Sequence, residues 1–294
     1  MTKNNITELL AHGKKLLREK GISSSSLDCD LLMMNVCNFT KVQLFTETDY
    51  TLSDDQASKF FDMLLRRSKF EPIQYILNKC EFMSLDFYVD ENILIPRPDT
   101  EILVEEAISV IKNNNCSNIL EVGTGSGCIA ISIAHYCNNV NVHAVDISEN
   151  ALSVAKRNAL SNCVNVNFNL GDIFSSSQAL HGELDLIISN PPYIKRDSIK
   201  HLPDNVKNYE PLLALDGGTD GLDFYKRIAK ESIPFFKNRG FLLFEIGYEQ
   251  SEDVSTILES NGYKNIETKK DLANLNRIVY GEYSKGFENR CLKD

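Results

Sequence analysis

A chain of 294 residues, 43% hydrophobic and 24% charged, is long enough for two globular domains with a sizeable core. A formal net charge of −10 with no lysine- or arginine-rich run argues against a broad duplex-binding surface and favours a protein or small-molecule substrate. No apolar run approaches the ~20 residues of a membrane span.

Eight cysteines, at 29, 37, 80, 116, 128, 137, 163 and 291, form no C-x-x-C pair and show no His spacing for zinc. Reduced thiols in a cytoplasmic protein are expected, and no bound metal. The start, Met1 to Asn5, lacks the apolar core of a signal peptide, which agrees with a cytoplasmic location.

Ile6, Leu9, Leu10, Leu16 and Leu17 recur at helical spacing, with Lys and Arg gathering before Gly21, and predict an amphipathic helix over residues 5–20. Ser23 to Ser26 read as a loop and N-cap for a second helix ending near Cys37. Ser53-Asp54-Asp55-Gln56 has capping-box spacing, and Phe60, Phe61, Leu64 and Leu65 behind it form an apolar face. A small helical bundle over residues 1–72 is expected, ending at Glu71-Pro72. Aromatic and β-branched residues from Cys80 to Ile95 predict a β-hairpin, turning at Asp90-Glu91-Asn92, within a linker over residues 73–98. Asp99 or Thr100 is placed to cap a helix carrying Ile102, Leu103, Ala107, Ile108 and Ile111, closed by Asn113 to Asn115.

Beyond Cys116 strands and helices alternate. Strands are predicted at residues 118–122, 141–145, 165–170, 184–189 and 241–246, and helices at 128–136, 149–160, 221–236 and 249–261. Such alternation implies an α/β fold, a mostly parallel, doubly wound sheet with right-handed crossovers and helices on both faces, here over residues 99–294. The closing strands, around 264–268 and 277–283, have no helix between them and are expected to form an antiparallel hairpin.

Four strand ends carry chemistry. Glu121-Val122-Gly123-Thr124-Gly125-Ser126-Gly127 lies where a strand turns into a helix, and glycines there let a ligand approach backbone N–H groups at the helix start. Asp146 ends the next strand, where a carboxylate can accept hydrogen bonds from both ribose hydroxyls. Asp172 ends the third, placed for a base amino group, with Ile173 against the ring. Any one of these alone reads as a turn or a cap; together, at consecutive strand ends, they favour a nucleoside site.

The fourth strand, Leu184 to Ser189, runs into Asn190-Pro191-Pro192-Tyr193. An X-Pro-Pro turn on its own more often just ends a strand. Here the two prolines remove two N–H donors and fix the chain, leaving the Asn190 side-chain oxygen and the proline carbonyls as acceptors beside the Tyr193 ring. That suits a planar group with N–H donors. It offers nothing for hydride transfer, but it can hold a substrate nitrogen beside a sulfonium methyl.

The Gly123–Gly127 loop, Asp146 and Asn190–Tyr193 resemble the seven-stranded, Rossmann-like class I S-adenosylmethionine-dependent methyltransferases, in the branch with an Asn/Asp-Pro-Pro-Tyr signature. Ile95-Pro96-Arg97-Pro98-Asp99-Thr100-Glu101, Glu71-Pro72-Ile73-Gln74-Tyr75-Ile76, Glu81-Phe82 and Tyr209-Glu210-Pro211 are similar to the HemK/PrmC family. The resemblance covers almost the whole chain, departing at Asn78 and Asn274, where glycine is usual; asparagine is the residue best able to keep such turns. It implies methyl transfer to the N5 amide nitrogen of the glutamine in the Gly-Gly-Gln motif of class I peptide-chain release factors, in support of translation termination.

The cofactor implied is S-adenosyl-L-methionine, with S-adenosyl-L-homocysteine as product, no metal and no direct nucleic-acid contact. A monomer is expected, with the N-terminal helices gripping the protein substrate. The resemblance implies cofactor contacts from Glu121, Gly123, Thr124, Gly125, Ser126, Gly127, Asp146, Asp172, Ile173 and Asn190. Asn190, Pro191, Pro192 and Tyr193 are then the catalytic and substrate-binding set. Arg97 has two readings, a salt bridge to Glu101 or a wall of the substrate channel. Glu121 and Glu245 can contact the methionine amine or cap N–H groups, the amine being preferred for Glu121. Rival substrates are a glutamine of a large-subunit ribosomal protein and a nucleobase amine; the non-enzymatic rival is a cofactor-binding regulatory module.

Overall fold

The computed structural model describes residues 4–286, so Cys291 and the first residues of the signal-peptide reading lie outside the described residues. In chain order come the helices α1 (Ile6–Glu19), α2 (Ser25–Cys37), α3 (Lys41–Thr46), α4 (Asp54–Ser68) and α5 (Ile73–Leu77), then strands β1 (Cys80–Phe82) and β2 (Leu85–Phe87). There follow α6 (Glu101–Asn114), β3 (Asn118–Val122), α7 (Cys128–Tyr136), β4 (Asn141–Asp146), α8 (Glu149–Ser161), β5 (Asn167–Leu170) and β6 (Leu184–Ser189). The chain closes with α9 (Asp204–Lys207), α10 (Asp223–Glu231), β7 (Phe236–Glu245), α11 (Ser251–Ser260), β8 (Lys264–Lys270) and β9 (Asn276–Ser284). It divides into two compact units, Met1–Lys79 with Pro203–Tyr209, and Cys80–Leu202 with Glu210–Asp294.

In the helical unit, the Asn5 carboxamide caps α1 by accepting from the backbone N–H groups of Thr7 and Glu8, and the Ser53/Gln56 capping box starts α4. Ser24 occupies the N-cap of α2 without capping it; its hydroxyl donates to Asp28, which also holds Arg67 at 2.7 Å. On α4, Phe60 and Leu64 are buried, whereas Phe61 and Leu65, expected on the same face, are 41% and 55% exposed. One residue is a 100° rotation on a helix, enough to turn the second pair away from the core. Asn78 sits at φ 51°, a left-handed C-cap that asparagine tolerates.

The second unit is built on a seven-stranded sheet in the order β5-β4-β3-β6-β7-β9-β8. The first five strands of that order are parallel, and β9 inserts between β7 and β8, antiparallel to both. Ile119, Leu186, Ile188 and Leu243 pack on one face, Leu120, Ile187, Leu242 and Phe244 on the other. Helices cover both faces, which is why these strands read as continuous apolar runs.

The β-hairpin is shorter than expected. It turns at Met83-Ser84, both at positive φ, not at Asp90-Glu91-Asn92, and residues 93–95 form no strand. Buried Asn158 takes the place of a partner strand, accepting from the Tyr88 N–H at 2.7 Å and donating to its carbonyl at 3.0 Å. The expected helix over 221–236 stops at Glu231, because Pro234 cannot continue it, and Phe236 already belongs to β7. Among the described residues no helix is long and apolar enough to cross a membrane.

Candidate active site

The strand order reverses between β3 and β6: the chain runs outward through β4 and β5, then returns to the other side of β3. A crevice opens at the carboxyl ends of such strands, where open α/β sheets bind ligands. The register puts Val122 opposite Ser189, whose buried hydroxyl donates to the Val122 carbonyl at 2.8 Å and locks the two strand ends together. The loop after β3 and the tip after β6 therefore face one cleft.

That cleft is lined by Arg97, Glu121, Gly123 to Ser126, Asp146, Asp172, Ile173 and Asn190 to Pro192. Gly127 and Tyr193 stand behind it. Gly123, Gly125 and Gly127 all have positive φ, and a Cβ built at Gly123 or Gly125 meets no atom within 4 Å, which leaves room for a ligand against the backbone. At Gly127 the same Cβ would lie 2.8 Å from Ile131 Cδ1 and 3.1 Å from Ala155 Cβ, so this glycine serves helix packing.

Asp146 accepts from the Gly125 N–H at 2.8 Å and from the Ser148 N–H at 2.9 Å. Burial raises its pKa, and these backbone donors oppose the rise. Glu121, 1% exposed, accepts from the Thr124 hydroxyl at 2.6 Å and from the Ala130 N–H at 3.0 Å, so the carboxyl caps the first turn of α7. Burial pushes it up to about 8 despite those donors. Asp172 holds Arg227 on the rim, at 2.9 Å from Nη2, and Ile173 is buried at φ 55°, a conformation that costs a β-branched residue about 1–3 kcal/mol.

Arg97 pairs with Glu210, not with Glu101. Its Nη2 donates to both oxygens of the Glu210 carboxylate, at 2.5 and 2.7 Å, while Glu101 accepts from the Met83 N–H. Burial raises the Glu210 pKa, and Arg97 pulls it back down. Asp99 and Thr100 do not cap α6: residues 98–100 form a 3₁₀ turn that continues into the helix, so the cap geometry never arises. Asp99 instead meets Arg277 at 3.1 Å, and the Thr100 hydroxyl accepts from Asn190 Nδ2 at 3.3 Å.

The Asn190–Tyr193 tip is braced from outside. The Gly217 N–H donates to the Ile194 carbonyl at 2.9 Å, the Ile194 N–H donates to the Leu215 carbonyl at 3.1 Å, and Gln250 donates to the Tyr193 carbonyl at 3.2 Å. A Cβ at Gly217 would come within 2.7 Å of the Tyr193 Cα, and one at Gly221 within 2.5 Å of its carbonyl oxygen. The Tyr193 phenol is raised to about 12, by burial first and then by the charge of Glu245. Reading by sequence assigned no site role to Thr100, Glu210, Gly221 or Gln250; of these, Thr100, in Ile95–Glu101, and Glu210, in Tyr209-Glu210-Pro211, lay in motifs that carry the resemblance.

A sequence-family model described as the PrmC N-terminal domain matches residues 8–77, and one described as a methyltransferase small domain matches residues 99–203. The release factor glutamine methyltransferase of Clostridium acetobutylicum is 41% identical over 93% of this chain and 97% of its own length. The chain belongs to the release factor glutamine methyltransferase family. Its counterpart in Clostridium botulinum is 39% identical, over 93% of this chain and 98% of its own. Among solved structures, the hMettl16 catalytic domain in complex with a MAT2A 3'UTR hairpin aligns with a TM-score of 0.55. That alignment covers 78% of this chain and 82% of that one at 15% identity, a likeness of fold alone. The methyltransferase small-domain match together with the observed strand order agrees with the class I methyltransferase sheet expected from the motifs.

Proposed function

We propose that the chain transfers a methyl group from S-adenosyl-L-methionine to the N5 amide nitrogen of the glutamine in the Gly-Gly-Gln motif of class I peptide-chain release factors, leaving S-adenosyl-L-homocysteine. One observation carries the reading: Asn190, Pro191 and Pro192 face the same cleft as the Gly123–Ser126 loop and Asp146, in a chain of this family.

When bound, the cofactor supplies a methyl group on a positively charged sulfur. The open backbone at Gly123 and Gly125 takes the part of the cofactor nearest α7, and Asp146 accepts from the ribose hydroxyls with the lone pairs its two backbone bonds leave free. Ile173 forms an apolar wall for the base, and a base amine shares Asp172 with Arg227. Glu121 contributes a carboxyl whose capping bonds use Oε2.

An amide nitrogen is a poor nucleophile because its lone pair is delocalised into the carbonyl. Asn190 Oδ1 and the Pro191 carbonyl accept its two N–H groups, fix its plane and stabilise the positive charge that develops on it. The prolines, having no N–H, place no competing donor there. Tyr193 stays protonated and packs behind the tip, and the Arg97–Glu210 pair forms a wall of the channel. Residues 1–72 grip the release factor. A cytoplasmic monomer without direct nucleic-acid contact is consistent with the charge of −10.

The test is mass spectrometry of unmethylated release factor after incubation with the protein and S-adenosylmethionine. One added methyl on the Gly-Gly-Gln glutamine is expected, and its absence there under conditions where the cofactor binds overturns the substrate assignment. Asn190→Ala is expected to keep cofactor affinity within a few-fold and to lose turnover by roughly a hundredfold; unchanged turnover refutes the role of Asn190.

A further inference from the structure

Asn190 can present either end of its carboxamide to the cleft, and only one end does the chemistry. With Oδ1 facing the substrate amide, the side chain accepts an N–H; rotated by half a turn, it opposes donor to donor. Something must decide between the two.

The parallel register sets Ser189 opposite Phe244, so Asn190 and Glu245 are the next residues on the adjacent ends of β6 and β7. Glu245 is 2% exposed and Thr100, in the turn before α6, is also 2% exposed. Neither is in the catalytic set expected from sequence. Glu245 does not line the cleft, whereas Thr100 and Asn190 do. The Asn190 Nδ2 donates to the Thr100 Oγ1 at 3.3 Å. Burial raises the Glu245 pKa, and the neighbouring Thr100 and Asn190 side chains, as hydrogen-bonding groups, oppose the rise. Glu245 Oε2 is buried without a hydrogen-bond partner, and the end of β7 is pinned by the Tyr225 hydroxyl donating to the Glu245 carbonyl at 2.9 Å. Arg277, on 2.9 and 3.1 Å pairs with Asp271 and Asp99, provides positive charge nearby.

We propose that Thr100 and Glu245 are positioning residues that set the rotation of the Asn190 carboxamide, through a one-way chain in which the Asn190 amide donates to the Thr100 hydroxyl and that hydroxyl donates to Glu245. In its ionised form Glu245 has no proton to give, so the Thr100 proton points to it and the Thr100 lone pairs are left for the Asn190 N–H. The Oδ1 then has no place but the cleft. The same negative charge behind the amide polarises it and makes Oδ1 a stronger acceptor for a nitrogen that becomes cationic. This rests on the assignment of Asn190 as the acceptor of the substrate amide.

The experiment is a double-mutant cycle on the full chain with release factor as substrate, read as kcat and KM for both substrates and as cofactor affinity. Thr100→Val is expected to lower kcat about tenfold while leaving the KM for S-adenosylmethionine within about twofold, and Thr100→Ser to restore kcat. In an Asn190→Ala background, measured under single turnover, Thr100→Val is expected to add nothing, because there is no carboxamide left to orient. An equal further loss in that background, or wild-type kcat in Thr100→Val, overturns the proposal. Thr100→Ala carries the same expectations should the valine variant not fold. If Asn190→Ala itself keeps wild-type kcat, the reading of Asn190 fails; if it collapses while the Thr100 variants do not, only the positioning proposal fails.

Discussion

Gly125 and Gly127, two residues apart in one turn, make the sharpest test of the loop geometry. Gly127→Ala places a methyl group at φ +81°, 2.8 Å from Ile131 Cδ1 and 3.1 Å from Ala155 Cβ. The left-handed backbone costs about 1–2 kcal/mol for a residue with a Cβ. The overlap between α7 and α8 adds about 1–3 kcal/mol. The expected loss of stability is therefore about 2–5 kcal/mol. Gly125→Ala bears only the backbone cost, because its Cβ meets nothing within 4 Å, but the methyl group projects where the ligand is to lie. Urea unfolding followed by circular dichroism, with calorimetric titration of S-adenosylmethionine, separates the two. Gly127→Ala should lower stability by about 2–5 kcal/mol; Gly125→Ala should lower it by no more than the backbone cost of about 1–2 kcal/mol but weaken binding at least tenfold, about 1.4 kcal/mol. A Gly127→Ala protein as stable as the parent, or a Gly125→Ala protein that binds as tightly, would refute the division of labour drawn between these glycines.

Removing Arg97 leaves Glu210 buried without its cation, so Arg97→Ala is expected to cost about 2–3 kcal/mol, below the usual figure because Arg97 is partly exposed, and Arg97→Ala/Glu210→Gln to recover part of that loss in the same unfolding assay. Glu121 and Glu245 are raised by burial to about 8 and about 7, above their unfolded values, so the folded state holds protons that the unfolded state has released. Stability of the cofactor-free protein should accordingly fall as pH rises from about 5 to about 8, and Tm scans of Glu121→Gln should show a flatter profile; a rising profile in the parent counts against the burial of these carboxyls. Brief iodoacetamide treatment followed by peptide mapping should label exposed Cys163 ahead of Cys29, Cys37, Cys80, Cys116, Cys128 and Cys137, whose thiols burial raises, and fast labelling of Cys128 would contradict its burial at the start of α7.

Most of the architecture could be read from local pattern because local pattern is what forms it. The strands Asn118–Val122 and Leu184–Ser189 are apolar runs whose bounds the turn residues set, and the observed strands have those bounds. The Gly123–Gly127 turn and the Asn190-Pro191-Pro192 tip were legible for the same reason: φ freedom at glycine and its loss at proline are properties of single residues. So was the tolerance of Asn78 and Asn274, which stand at φ 51° and 64°.

What failed was decided by groups far apart in the chain. The hairpin was placed at Asp90-Glu91-Asn92 because nothing near Tyr88 announces that Asn158, 70 residues on, satisfies its backbone. One of the two readings of Arg97 paired it with Glu101, four residues away, when its partner is Glu210, 113 residues away. Asp99 or Thr100 was expected to cap α6; instead the Thr100 hydroxyl accepts from Asn190, 90 residues away. Sequence alone determined that strand ends would carry a glycine loop, two carboxylates and a donor-free tip. Only the tertiary structure decided which of those ends share a cleft and what stands behind them, because buried polar groups must find partners wherever the packed core brings them, and that pairing follows distance in space and leaves no spacing in the chain.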